Sequence, residues 1–364
     1  MKFGILNESC PGPEPWSPGR EKQVITESVR QAVEAERLGW HQFWSTEHHF
    51  LGNHSTSGAP EIILTWVASQ TTRIRIGHAV VLASKQINHP WRIAERVATL
   101  DLLSDGRIDV GFGRGVTTDE LYAFEAEPAE TKAHRAEVLK MLPKMWLEDE
   151  FSWDSDHYAI PPRRLSPRPL QDPHPPLWIA CGGEDSWFEA AQAGVGAMSF
   201  GFGAPGRLER CIANYDANVH QANPVANINN QKACSTFFYC GRTEQEAYAK
   251  GAQCMHMLMN VLNYYLSWEQ LDKPIEGFEQ YGVQYLEKVF PGITSGRPHE
   301  EIIADQTKQG SMMIGTPDQL LEHVRAYENL GVDQLMLLLQ YGHLTHDEIV
   351  ESMQLFTEQV INRL

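Results

Sequence analysis

Phe43-Trp44-Ser45-Thr46-Glu47-His48-His49-Phe50 is a short apolar run that stops abruptly at three adjacent titratable residues. Such a run reads as a buried strand delivering ionisable side chains to a rim, and in a parallel barrel the carboxyl ends of the strands form the active-site face. Glu47, His48 and His49 are therefore the first candidates for a site. In an extended chain His48 and His49 point to opposite sides, so they do not share one small ligand without a bend. The i, i+4 spacing of a helical two-histidine metal site is absent, and no metal is expected. Two readings stay open: a strand-end turn whose histidines are merely hydrogen-bonded, or an imidazole that moves a proton near neutral pH with Glu47 setting its tautomer.

Outward from this stretch the chain alternates. Lys2 to Leu6 reads as a first strand, followed by a Pro- and Gly-rich loop and then by Val24, Ile25, Val29, Ala32, Val33 and Leu38 at helical spacing, with Gly39 as the stop. Beyond the opening stretch come a helix from Pro60, a β-branched strand from Ile74 to Leu82, a helix through Ile93, Val97 and Leu100, and a strand from Arg107 to Phe112. A helix from about Ala129 to Leu147 precedes Pro161 to Pro169, whose proline density forbids helix and central strand and predicts an ordered surface excursion. Further strands are predicted at Leu177 to Ala180, Ala197 to Phe200, Ala233 to Cys240 and Asp333 to Leu339. Thr243 and Glu246 fit a capping box opening a helix to Tyr265, and an amphipathic helix from Thr345 to Leu364 closes the chain.

Eight strands with intervening helices argue for a (β/α)8 TIM barrel rather than an open sheet. The 364 residues exceed the usual single-domain size, but barrels run to about 250 residues or more with insertions. The expectation is one barrel domain over residues 1–364, with insertions at about 149–176 and 267–310, the second a candidate mobile cover. A net charge of -17 repels polyanions, and Lys and Arg form no long block, so neither nucleic acid nor an anionic membrane is an expected partner. No apolar run spans a bilayer and the amino end lacks a signal-peptide core, which reads as a soluble, cytoplasmic protein. The six cysteines are scattered with no Cys-x-x-Cys pair, as suits free thiols in a reducing compartment.

Polar clusters gather after the strands: Asn7 and Glu8, Glu47 to His49, Gly113-Arg114-Gly115, Cys181-Gly182-Gly183, and Gln340 to His343. Gly113-Arg114-Gly115 sets a guanidinium between two glycines, so backbone and side chain can both approach a phosphate. Gly182-Gly183-Glu184-Asp185-Ser186 leads into a helix whose amino end offers unsatisfied N–H groups. Glu184 and Asp185 would repel an anion if they faced it, so contact by main chain and Ser186 is expected. Tight turns with a surface arginine, and a small core cysteine at Cys181, are the alternatives.

Trp44 to Phe50, Asn88-His89-Pro90, Leu103-Ser104-Asp105-Gly106-Arg107, Gly111 to Gly115, Pro167 to Trp178 and Gly315-Thr316-Pro317, taken in this order, resemble the bacterial luciferase-like flavin monooxygenases. The resemblance implies a barrel that uses reduced FMN, supplied by a separate flavin reductase, and O2, oxygenating an aldehyde, ketone or similar small substrate through a C4a-peroxyflavin. It implies His48 as the active-site histidine, Arg114 as the phosphate-binding arginine, and Cys181, Gly182 and Ser186 within a second phosphate-contacting segment. It also implies a non-proline cis peptide at Ala79 to Val80 beneath the flavin ring. Gly113 stands where bacterial luciferase has a reactive cysteine, which speaks against light emission. Trp91, Phe202 and Tyr341 are candidate pocket elements. A homodimer is expected by analogy, through the closing helix and the helices near Ala32 and Trp66. The rivals are a hydride-transfer enzyme dependent on the deazaflavin F420, and a non-catalytic flavin-binding homologue. A metal hydrolase would need Asp or Glu and Lys ligands after several strands, a set not found.

Overall fold

The computed structural model describes residues 1–13, 17–115, 117–201, 205–260, 287 and 290–364. Its centre is a closed ring of parallel strands: β1 (Lys2–Asn7), β2 (Gln42–Ser45), β3 (Arg75–Leu82), β4 (Ile108–Gly113), β7 (Leu177–Ala180), β8 (Gly196–Phe200), β9 (Lys232–Cys240) and β11 (Gln334–Leu338). Each pairs with the next, and β11 returns to β1 through Lys2↔Gln334 to Leu6↔Leu338, so no edge is left among these eight. Around them lie α1 (Arg20–Arg37), α2 (Pro60–Gln70), α3 (Pro90–Leu103), the short α4 (Thr118–Ala123), α5 (Thr131–Leu147), α6 (Glu184–Ala193) and α7 (Pro205–Val219). The circuit continues with α8 (Glu244–Gly251), α9 (His299–Lys308), α10 (Pro317–Asn329) and α11 (His346–Gln359). This is the expected (β/α)8 barrel.

The strands are apolar throughout because helices cover the outside while side chains fill the inside. Phe43 and Trp44, on opposite faces of β2, are both fully buried. The floor of the barrel is sealed at the amino ends of the strands. Trp44 and Trp178 meet edge to face at 5.5 Å, and Asp109 accepts from Arg75 Nε at 2.7 Å, Gln42 Nε2 at 3.0 Å and Trp178 Nε1 at 3.1 Å. A buried carboxylate met by three donors is satisfied, so the floor is closed and the other end is the open one.

Three strands escaped the sequence reading. β5 (Phe151–Asp154) and β6 (Ala159–Arg163) form an antiparallel hairpin outside the ring, and β6 carries Pro161 and Pro162. Proline is tolerated there because a two-stranded hairpin offers an unpaired edge. The third is β10 (Met313–Gly315), which among the described residues pairs only with β9 and is too short to leave a periodic signal.

Several polar positions between the elements prove to be fold joints. Arg107 donates to the carbonyls of Ala68, Thr71, Ile74 and Ser104, tying the ends of α2 and α3 to the starts of β3 and β4. Asp101, fully buried, accepts from the backbone N–H of Leu170 and Gln171 at 2.7 and 2.8 Å, which anchors the proline-rich excursion. Phe356 of the closing helix α11 sits 5.4 Å from Phe3, 5.0 Å from Phe238 and 6.1 Å from Trp40. The apolar stripe of α11 therefore faces the barrel, and so does Ala32 of α1. Of the helices named for a dimer, α2 leaves Ile62 68% and Trp66 43% exposed, and α1 leaves Val33 40% exposed. Among the described residues no helix is long and apolar enough to cross a membrane. Phe202, the end of the helix toward Tyr265 and much of the 267–310 insertion lie outside the described residues.

Candidate active site

The open end of the barrel collects the residues after β1, β2, β3 and β4. His48 turns toward two acidic groups: its Nδ1 lies 2.9 Å from Glu120 Oε1 and its Nε2 3.8 Å from Glu8 Oε2. His49 takes the opposite direction, as extended backbone requires, with Nε2 3.2 Å from Glu47 Oε1 and its ring 4.8 Å from Phe124. The expectation that Glu47 orients His48 is thus corrected. Glu47 receives Leu82 N and Asn88 Nδ2, each at 2.8 Å, so its carboxylate locks the exit of β2 to the end of β3 and is not free to hold His48. Asn88 is in turn held by Arg96, and His89 caps α3 by accepting from Trp91 N.

Glu120 is the partner that sequence reasoning missed. Gly115, at φ +88°, turns the chain after β4 and packs against Leu121 so closely that a Cβ would lie 2.8 Å from that side chain. The turn carries α4 across the mouth. Thr117 caps α4 by accepting from Glu120 N, and its hydroxyl donates to Glu120 Oε2 at 2.9 Å, while Oε1 takes His49 N at 3.1 Å and faces His48. Burial alone would favour neutral His48, yet the adjacent Glu120 and Glu8 outweigh it and raise its pKa from 6.5 to about 9. The direction favours the imidazolium, where the sequence reading expected a neutral imidazole. His54 and His78 show the opposite balance, since burial pulls both down to about 4.

One strand further round, the Ala79–Val80 peptide is cis, and the ladder between β3 and β4 shifts register between His78 and Val81. Ala79 and Val80 are half-open within an otherwise buried strand. Val80 also explains Gly113: a Cβ on that glycine would lie 2.3 Å from Val80 Cγ2, so a cysteine does not fit there without displacing the ledge. Arg114 follows at once.

The segment after β7 adjoins that after β4, because Phe112 pairs with Ile179. Here the structure assigns side-chain duties that the sequence left open. The Cys181 thiol is buried, lies 3.4 Å from the carbonyl oxygens of Ile179 and Ser186, and is pushed up to about 12 by burial, so it is a packing group. Ser186 Oγ accepts from Gly183 N at 3.1 Å and donates to Gly183 O at 2.8 Å, so the hydroxyl expected to meet a phosphate is engaged in the cap of α6. Two arginines of α7 reach this segment: Arg207 donates to Gly182 O, and Arg210 Nε holds Glu184 Oε1 at 3.0 Å. Those cations, with Arg114 on the neighbouring strand exit and the amino end of α6, fit a phosphate-bearing cofactor.

Trp91 and Tyr341 belong to packing. Trp91 meets Phe151 edge to face at 5.7 Å, and Tyr341 is buried with its hydroxyl donating to Phe238 O at 3.0 Å. A cavity of about 600 Å³ lies elsewhere, between α5, α6 and the loop around Pro224, near the amino ends of β7 to β9 and remote from the mouth.

The model of the luciferase-like monooxygenases matches residues 1–334. The oxygenase component of the flavin-dependent trigonelline monooxygenase from Acinetobacter baylyi is 24% identical over 337 residues, 88% of this chain and 85% of its own. The crystal structure of monooxygenase RslO1 from Streptomyces bottropensis superposes with a TM-score of 0.79 at 26% identity, covering 100% of this chain and 99% of that one. An F420-dependent glucose-6-phosphate dehydrogenase from Amycolatopsis mediterranei is 33% identical over 174 residues, 46% of this chain and 51% of its own.

Proposed function

The chain belongs to the luciferase-like monooxygenase family, and on that premise we propose that it is a two-component monooxygenase, taking reduced FMN from a separate flavin reductase and using O2 to oxygenate a small aldehyde, ketone or similar compound. The observation that carries this reading is His48 set between Glu120 and Glu8 after β2, with the half-open cis Ala79–Val80 peptide on the neighbouring strand β3.

Reduced flavin supplies the activation of oxygen. The chain supplies the rest. Arg114, with Gly113 and Gly115 allowing close approach, would hold the phosphate, and Gly182 with Arg207 would extend that hold. Ala79 and Val80 carry the ring, and Glu47 fixes the end of β3 on which they lie. Glu120 accepts the hydrogen bond from His48 Nδ1–H, which would leave Nε2–H to hold or move a proton at the mouth. Walls of buried side chains limit water there. Exposed Ile62 and Trp66 on α2 favour that helix as the face of a homodimer.

A flavin is favoured over F420 because the flavin-dependent relative aligns over 88% of this chain and the F420-dependent one over 46%. The test is anaerobic titration with reduced FMN and reduced F420, then admission of oxygen with candidate carbonyl substrates. The account expects FMN binding, substrate oxygenation, and loss of oxygenation with retained FMN binding in His48→Ala. Binding of F420 alone, or a fully oxygenating His48→Ala, overturns it.

A further inference from the structure

We infer that Glu8, His48 and His54 form a binding site for a late first-row divalent cation such as Zn²⁺ or Co²⁺. One donor atom from each lies within 4.8 Å of the others. Glu8 Oε2 is 3.8 Å from His48 Nε2 and 4.0 Å from His54 Nε2, and the imidazoles stand edge to face at 5.7 Å. Bonds of about 2.0–2.2 Å to zinc place tetrahedral donors roughly 3.4 Å apart, so the two Glu8 separations shorten by about half an ångström and that between the imidazole nitrogens by up to about 1.4 Å.

The surroundings fit a ligand set rather than a chance meeting of side chains. His48 Nδ1 faces Glu120 Oε1 at 2.9 Å, the carboxylate–histidine arrangement that turns the other ring nitrogen toward a metal. Glu8 Oε2 is fixed by Thr46 Oγ1 at 2.8 Å and keeps a further lone pair, and Thr46 is braced through Ser57 to Ser55. His54 is 8% exposed, and its Nδ1 is buried without a hydrogen-bond partner among the described residues. Two imidazoles with one carboxylate select zinc, cobalt, nickel or ferrous iron over magnesium or calcium. The cation takes the place of the proton on His48 Nε2. On the oxygenase reading above it therefore inhibits, because the proton-bearing atom is blocked.

The test uses full-length, flavin-free protein treated with chelator and titrated with Co²⁺, then Zn²⁺, with Mg²⁺ as control. Metal binding is read without any turnover, so its failure and that of the oxygenase reading are separable. The expected result is one Co²⁺ per chain with d–d absorption in the visible, displaced by Zn²⁺ and absent with Mg²⁺. His54→Ala, and His54→Gln should the alanine variant not fold, abolish the visible band, and Glu120→Gln weakens binding by about tenfold or more. No saturable Co²⁺ binding, or an unchanged spectrum and affinity in a folded His54 variant, overturns the proposal by leaving only ions on surface histidines.

Discussion

Replacing Glu120 with glutamine keeps the shape of the side chain and an acceptor for His48 Nδ1 but removes the charge. In the native protein Glu120 and Glu8 overcome burial and raise His48 from 6.5 to about 9, which at about 1.4 kcal/mol per unit is roughly 3 kcal/mol in favour of the folded imidazolium. A hydrogen bond to a charged partner contributes about 1.5–3 kcal/mol against about 0.5–1.5 for a neutral one. Losing that difference lowers the His48 pKa by at least about one unit. The assay is an NMR titration of the imidazole Cε1–H signals, with His48 assigned by substitution. A raised folded-state value stabilises the fold fully below pH 6.5 and loses that contribution as pH rises toward about 9. Chemical denaturation across this window should show stability falling with pH in the native protein and a flatter limb in Glu120→Gln. A His48 signal titrating at the same pH in both proteins would refute the pairing.

Glu47→Gln loosens the joint between β2 and β3, because one amide cannot accept from Leu82 N and Asn88 while also serving His49; a loss of about 1–3 kcal/mol in urea unfolding is expected. Gly113→Ala puts a Cβ 2.3 Å from Val80 Cγ2, so flavin affinity measured by fluorescence should fall as Val80 is displaced, with a lower melting temperature. Arg107→Ala strands four carbonyls at the barrel floor, far from the chemistry; it should cost about 3 kcal/mol or more of stability while leaving the flavin dissociation constant of the folded fraction unchanged. Arg114→Ala should weaken reduced FMN by roughly 10- to 100-fold yet leave riboflavin, which has no phosphate, almost unaffected in the same titration.

The barrel was legible because its strands are buried on both faces and read as short apolar runs between helical periodicities; Leu177 to Ala180 falls on the observed strand end to end. The β5–β6 hairpin was not, since Pro161 and Pro162 mask a strand that survives only at an edge. At the site, the Phe43 to Ser45 run ends where β2 ends, so the titratable residues after it follow the strand's carboxyl end. What sequence could not supply was pairing. Glu120 belongs to Thr117-x-x-Glu120, which reads as a helix cap, and that duty hides its second contact with His48. Arg207, Arg210 and His54 reach the site from loops and helices whose spacing carries no signal, so only the folded chain brings them to Gly182, Glu184 and Glu8.

The central claim is where the flavin sits, and a crystal structure of the protein soaked with FMN measures that directly. The account predicts the phosphate within hydrogen-bonding distance of Arg114, with the isoalloxazine ring resting on Ala79–Val80 and His48 beside it. FMN seated instead in the cavity between α5 and α6, or at the mouth with its phosphate turned away from Arg114, would contradict it.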